Sequence, residues 1–273
     1  MHIKTVQIMC AFALGAGSQS MAIAEETTGP AVESVNGKIS LGYTHANDSN
    51  QGSGGFALGS LAFPIAHSFG AQIDIGTDGL DTSGGQLSDT RGAGLHLFVR
   101  EPSTYLIGVY GHILDVDTTA GTIRNTRVGI EGEYYLSDYT IQGFIGQDRV
   151  SGVGAKTEFD SIDFSVSRFI GDNTLVSVGA ERSFGNTDGS VGVEHLTSIA
   201  GTKASVFGNA SFGDSGTQLT VGTSIYFGSG GMSLKDVQRR NDPPSRLTSA
   251  AGSGYFQALA SGGLNKVPLP KYR

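Results

Sequence analysis

The chain has 273 residues, a formal charge of -7 and a single cysteine, Cys10, which lies in an apolar amino-terminal stretch. The rest of the chain has no thiol, which excludes a disulfide scaffold, thiol catalysis and thiolate metal sites. With 42 glycines, no tryptophan and a mean hydropathy of -0.06, it reads as an all-β chain with small residues on one face, not as an ordinary helical enzyme.

Residues 1–24 read as a cleaved signal peptide: His2 and Lys4 start it, 6–17 are mostly apolar, and Ala22-Ile23-Ala24 is a small-x-small site. The apolar run is too short to span a bilayer, and no lipobox precedes Cys10. Cleavage leaves 249 residues (273 minus 24). Residues 25–36 are expected to be a short periplasmic segment.

Twelve strands are predicted, near 37–46, 55–65, 69–78, 90–100, 104–114, 123–136, 138–148, 159–170, 174–184, 190–200, 203–212 and 217–227. Most alternate with period two: Ala71, Ile73 and Ile75 against Gln72, Asp74 and Gly76, or Ile162, Phe164 and Val166 against Asp163, Ser165 and Ser167. Connections after even-numbered strands are short, such as Glu101-Pro102-Ser103. Those after odd-numbered strands are longer and richer in Gly, Asp, Ser and Thr; 77–89 and 150–158 are the longest. Short periplasmic turns and longer outer loops are the asymmetry of outer-membrane barrels, and it puts both barrel ends in the periplasm. Phe63, Phe69, Tyr105, Tyr134, Tyr135, Tyr139, Phe169 and Phe227 cluster at that side as an expected interfacial girdle.

The last predicted strand carries one specific motif. Thr220, Gly222, Ile225 and Phe227 hold the places of polar, Gly, apolar and aromatic residues in a pattern that resembles the terminal-strand signal of bacterial outer-membrane β-barrels. The resemblance, over the leader and residues 37–228, implies a closed antiparallel transmembrane up-and-down barrel of about 12 strands, with 10–14 as the range. It also implies a Gram-negative cell envelope and, as partners, outer-membrane lipid, the barrel-assembly machinery and periplasmic chaperones. In hydrocarbon every backbone donor and acceptor is paired, so the first strand must meet the last.

By parity, Asp74, His96, Arg127, Glu131, Glu133, Asp163 and Glu181 line the lumen. Residues 25–228 carry 10 basic and 23 acidic side chains, a net of -13; residues 229–273 carry 7 and 2, a net of +5. The acidic interior points to small cations or solutes as cargo, through a passive channel, or to inward ion pairs that fill a structural barrel. The tail, 229–273, loses all alternation and is interrupted by Pro243, Pro244, Pro268 and Pro270. It reads as mostly disordered and periplasmic, with a short helix near 233–240. Its charge offers a second reading, in which Lys235, Arg239, Arg240 and Arg246 enter the mouth as a plug.

No catalytic, cofactor or metal site assembles from the sequence, and no basic patch with interleaved aromatics points to nucleic acid. His195 faces outward near Thr197 but gains no serine partner for a phospholipase-like barrel hydrolase. A secreted or surface β-sandwich of adhesin-like kind is the other alternative. Oligomeric state leaves no mark on the sequence.

Overall fold

The computed structural model describes residues 29–46, 53–81, 87–118, 121–152, 155–199, 201–214 and 216–247. The leader, 1–24, lies outside them. Twelve strands follow in order: β1 Asn36–Ala46, β2 Ser53–Ala66, β3 Phe69–Asp81, β4 Leu87–Glu101, β5 Tyr105–Thr118, β6 Gly121–Leu136, β7 Tyr139–Gly152, β8 Ala155–Ile170, β9 Thr174–Ser183, β10 Asn186–Ile199, β11 Thr202–Gly213 and β12 Gly216–Phe227. A short helix, α1 Leu234–Arg240, comes after them.

Each strand pairs antiparallel with its chain neighbours, and β1 pairs with β12 to close the barrel. The seam runs in register from Gly37 opposite Phe227 to Ala46 opposite Gln218. Closure removes both sheet edges, which is what lets a sheet sit in lipid. The alternation sends apolar side chains outward: Ile75, Val128 and Ile145 are 61%, 62% and 60% exposed on the outer wall. Their neighbours Asp74, Arg127 and Phe144 are buried inside. A slip of one residue in any strand would exchange these two sets.

The mouth where β1 begins and β12 ends has the short turns at 67–68, 102–104, 137–138 and 171–173. At the opposite, far mouth the ladders run further than the sequence suggests. Val150 to Gly152 pair with Ala155 to Thr157, so only 153–154 connect β7 and β8. Thr77 to Asp81 pair likewise with Leu87 to Arg91. Backbone pairing needs no apolar side chains, so polar stretches past the bilayer still extend the sheet. At this end β9 turns into β10 through Phe184 and Gly185, both at positive φ (52° and 83°). A Phe there costs about 1 kcal/mol. Its ring is buried inside against Phe159, with centroids 5.9 Å apart, and that packing fixes the turn.

Glycines let the inner wall carry aromatic rings laid flat. Phe98 stands between Gly70 and Gly108 in one row, and a Cβ on Gly70 would meet its ring at 2.6 Å. At the seam, Phe56, Gly42, Gly222 and Phe207 form a row across β2, β1, β12 and β11. A Cβ on Gly42 would lie 2.5 Å from the Phe56 ring and 2.6 Å from the Val221 carbonyl oxygen. Gly42→Val is therefore expected to lower stability by about 1–3 kcal/mol through overpacking. The midpoint of thermal unfolding in detergent checks this, and an unshifted midpoint refutes it.

Candidate functional site

The lumen is occupied by the chain itself. After β12 the backbone turns at Gly228, φ 73°, and enters the mouth. Ser233 caps α1 by accepting the Asp236 N–H at 3.2 Å. Leu234 and Val237 then bury against Phe169, Leu196 and Tyr226 of the inner wall. Two turns of the mouth hold the helix from outside its apolar face. Arg239 donates to the carbonyls of Ser137 (2.8 Å) and Tyr139 (2.7 Å) and lies over the rings of Tyr135 and Phe169. Lys235 pairs with Asp138 at 2.9 Å, and its backbone N–H donates to the Asp172 carbonyl. The hydrogen bond from the Lys235 ammonium holds the Asp138 carboxyl below its ordinary range.

Pro243 and Pro244 bar further helix, and the chain crosses the lumen as irregular backbone that bends at Arg246. Asp242 pairs with Lys38 at 2.6 Å, yet burial still pushes its carboxyl above the ordinary range. Gln72 donates to the Pro243 carbonyl at 2.9 Å. Arg246 reaches Glu131 at 3.2 Å and Asp163 at 3.1 Å, and stacks over Phe144. Leu247 closes the crossing between Leu58 and Leu114. The amino-terminal segment is laid into the same mouth, with Ala31 and Val32 fully buried against Phe98, Leu106 and Tyr135. Nη1 of Arg100 donates both to the Ala31 carbonyl (3.2 Å) and to the Asn241 carbonyl (3.1 Å).

Residues 229–247 are thus folded into the barrel and do not hang free; 248–273 lie outside the described residues. Of the four cations singled out in the tail, Arg246 alone meets lumen carboxylates. Lys235 and Arg239 grip the rim, and Arg240 stays half-exposed near Glu33 and Asp236. The aromatic girdle is corrected at two positions. Tyr134 faces outward, but Tyr135 and Phe169 turn inward as the seat of the plug. Tyr135 has the opposite parity to its neighbour Tyr134, so one of the two must face the lumen.

All seven lumen residues lie on the inner wall. Asp74, His96 and Glu131 form a line with the tail: His96 meets Asp74 at 3.2 Å and Glu131 at 2.8 Å, and Glu131 then meets Arg246, which reaches Asp163. Both His96 nitrogens face carboxylates, an arrangement that uses both as donors. Arg127 grips Asp148 with two hydrogen bonds (2.8 and 2.9 Å) and reaches Ser183 and Glu181. Glu133 accepts from Tyr135 at 2.8 Å. Parity alone does not mark Asp148 or Ser183 as partners, because nothing in the sequence sets which residues meet across the lumen. His112 faces Gly94 in the ladder and accepts or donates a 2.9 Å bond with Tyr110, two steps from His96. His195 lies on the outer wall, 2.8 Å from Thr174.

These ion pairs fill the β3–β7 side. The β8–β2 side keeps a cavity of about 480 Å³. It runs from Gly54, Gly216 and Gln218 at the far mouth to a floor of Gln238, Asp242 and Pro244 from the tail. Its charged lining is Asp78, Asp163, Glu181, Asp188, Glu194 and Asp242, against Lys38 alone. The size is that of a small-molecule site.

At the seam, the four motif residues of β12 take separate parts. Thr220 shares a 3.1 Å hydroxyl contact with Thr44, Gly222 seats the Phe207 ring, Ile225 pairs with Ile39, and Phe227 points outward.

No protein-family model matches the chain, and no curated protein matches it. Among solved structures it is similar to the KdgM porin in complex with disordered oligogalacturonate: 11% identity, 69% of this chain and 98% of that one, TM-score 0.49. It is also similar to the translocator domain of autotransporter NalP from Neisseria meningitidis, at 10% identity over 71% and 87%, TM-score 0.48. The Salmonella typhi outer membrane phospholipase dimer with bound calcium gives 11% over 72% and 91%, TM-score 0.47. No activity passes to this chain at such distances. The closed pairing, the outward apolar belt and the polar interior themselves make it an outer-membrane β-barrel of twelve strands.

Proposed function

We propose that this barrel is a small, cation-favouring channel, without catalytic activity, whose periplasmic mouth is kept shut by its own tail. The observation that carries the reading is the acidic cavity that opens at the far mouth and ends on tail residues. Carboxylates in a narrow, partly desolvated lumen raise local cation concentration. In this reading residues 1–24 direct export and are cleaved, both chain ends face the periplasm, and the tail seats after insertion. The β12 motif, Thr220, Gly222, Ile225 and Phe227, is the segment offered to the barrel-assembly machinery, and chaperones carry the unfolded chain to it.

The test is single-channel recording in planar bilayers under a salt gradient, with the full chain and with a chain ending at residue 228. Cation-selective steps that lose selectivity in Asp163→Asn with Glu181→Gln support the channel. A barrel that inserts and stays silent in both forms is a structural barrel, and the proposal falls.

A further inference from the structure

The seam row extends further than its four aromatic and glycine members. Asp78 stands opposite Phe56 on β3, and Glu194 stands opposite Phe207 on β10. Six adjacent strands therefore present, in one line on the inner wall, Asp78, Phe56, Gly42, Gly222, Phe207 and Glu194. At about 4.8 Å per strand, the two carboxylates stand roughly 24 Å apart along the wall. Between them the two rings lean together over the glycines, with centroids 6.4 Å apart. Both phenylalanines and both carboxylates line the cavity.

This is a flat apolar strip in a wall that is otherwise polar. The side chains along it are hydroxyls and amides: Thr44, Thr220, Ser190, Asn209 and Gln218. Among the described residues, Oδ1 of the partly buried Asp78 and Oδ1 of the buried Asp242, at opposite ends of the cavity, are shielded oxygens with no hydrogen-bond partner. A buried carboxylate oxygen left without a donor is costly, and a ligand that brings a donor relieves that cost. Filling the barrel, as Phe98 and Phe144 do on the other side, would not require an open cavity in front of the rings.

We propose that the Phe56–Phe207 strip with its flanking carboxylates is a binding site for oligosaccharides of amino sugars with free amines. Their sugar rings lay apolar faces on the phenylalanines, their ammonium groups meet Asp78, Glu194 and Asp242 and the faces of the rings, and their hydroxyls meet the hydroxyl and amide side chains. Acidic sugars are rejected by the same carboxylates. The inference deepens the channel reading and rests on it for entry through the far mouth.

The experiment is titration calorimetry of the full chain in detergent micelles with the glucosamine trimer, its N-acetylated form and the galacturonate trimer. The glucosamine trimer is expected to bind, and N-acetylation, which removes the charge but keeps the rings, is expected to weaken it about tenfold. Galacturonate is expected to give no heat. Phe207→Leu, shown to fold by its heat-modifiable mobility, is expected to weaken binding to a similar degree. Absence of heat with glucosamine, equal binding of the N-acetylated trimer or tighter binding of galacturonate overturns the proposal; a Phe207→Leu barrel with unchanged affinity also overturns it. The comparison of the three sugars stands even where the variant does not fold. A tail-truncated barrel that conducts cations while the full chain ignores glucosamine refutes this site and spares the channel. Glucosamine heat from a barrel that never conducts does the reverse.

Discussion

Removing residues 229–273 is expected to raise single-channel conductance several-fold and to leave the barrel closed and inserted. The tail occupies the lumen from the rim, where Arg239 binds the Ser137 and Tyr139 carbonyls, to the midline, where Arg246 joins Glu131 and Asp163. None of the ladder hydrogen bonds depends on it, because every strand already has two neighbours. Truncation also exposes Glu131 and Asp163 to water and withdraws a cation from between them, so the open lumen should favour cations more strongly. A point variant isolates the latch. Arg246→Ala breaks both ion pairs and leaves α1 in place, so it should yield brief openings where the truncated chain stays open. Identical records from the full and truncated chains would remove the tail from any gating role.

Arg127→Met is expected to cost about 3–5 kcal/mol, the cost of leaving a buried charge without its partner. Asp148 is fully buried, and Arg127 is the cation that balances it. Asn125 and Ser183 would still donate to Asp148, but neither carries charge. Removing both members, as Arg127→Met with Asp148→Leu, should recover most of the loss, since a buried ion pair contributes little against well-packed apolar side chains. Urea midpoints in detergent give both values. A single variant within 1 kcal/mol of the parent would show that water reaches Asp148 and that this side of the lumen is not filled as described.

The wall was legible in the sequence because period two leaves one consistent solution. Ile73 and Ile75 cannot face lipid without turning Asp74 inward, and the need to pair the last donors makes Ile39 face Ile225. What lies in the lumen was legible only as charge. The +5 tail against a -13 barrel pointed to attraction, but the tail has no period, and its order comes from scattered partners: a carbonyl at Ser137, an amide at Gln72, a carboxylate at Glu131. Tyr135 and Phe169 show the same limit. Their parity is set by the alternation, but the reason they face inward is the tail segment they seat. The seam row is illegible in the sequence for a related cause: Gly42 and Phe56 lie far from Phe207 and Gly222 in the chain, and only register lines them up.

Arg100 joins the carbonyls of Ala31 and Asn241, one before β1 and one after β12, through a single nitrogen. That geometry imposes an order on biogenesis. The guanidinium is in position only after β4 has joined its neighbours, and both terminal segments need a finished cylinder to enter. If the tail shuts the mouth as proposed, a barrel whose two segments have not yet met at Arg100 is expected to leak, and their seating there would close it.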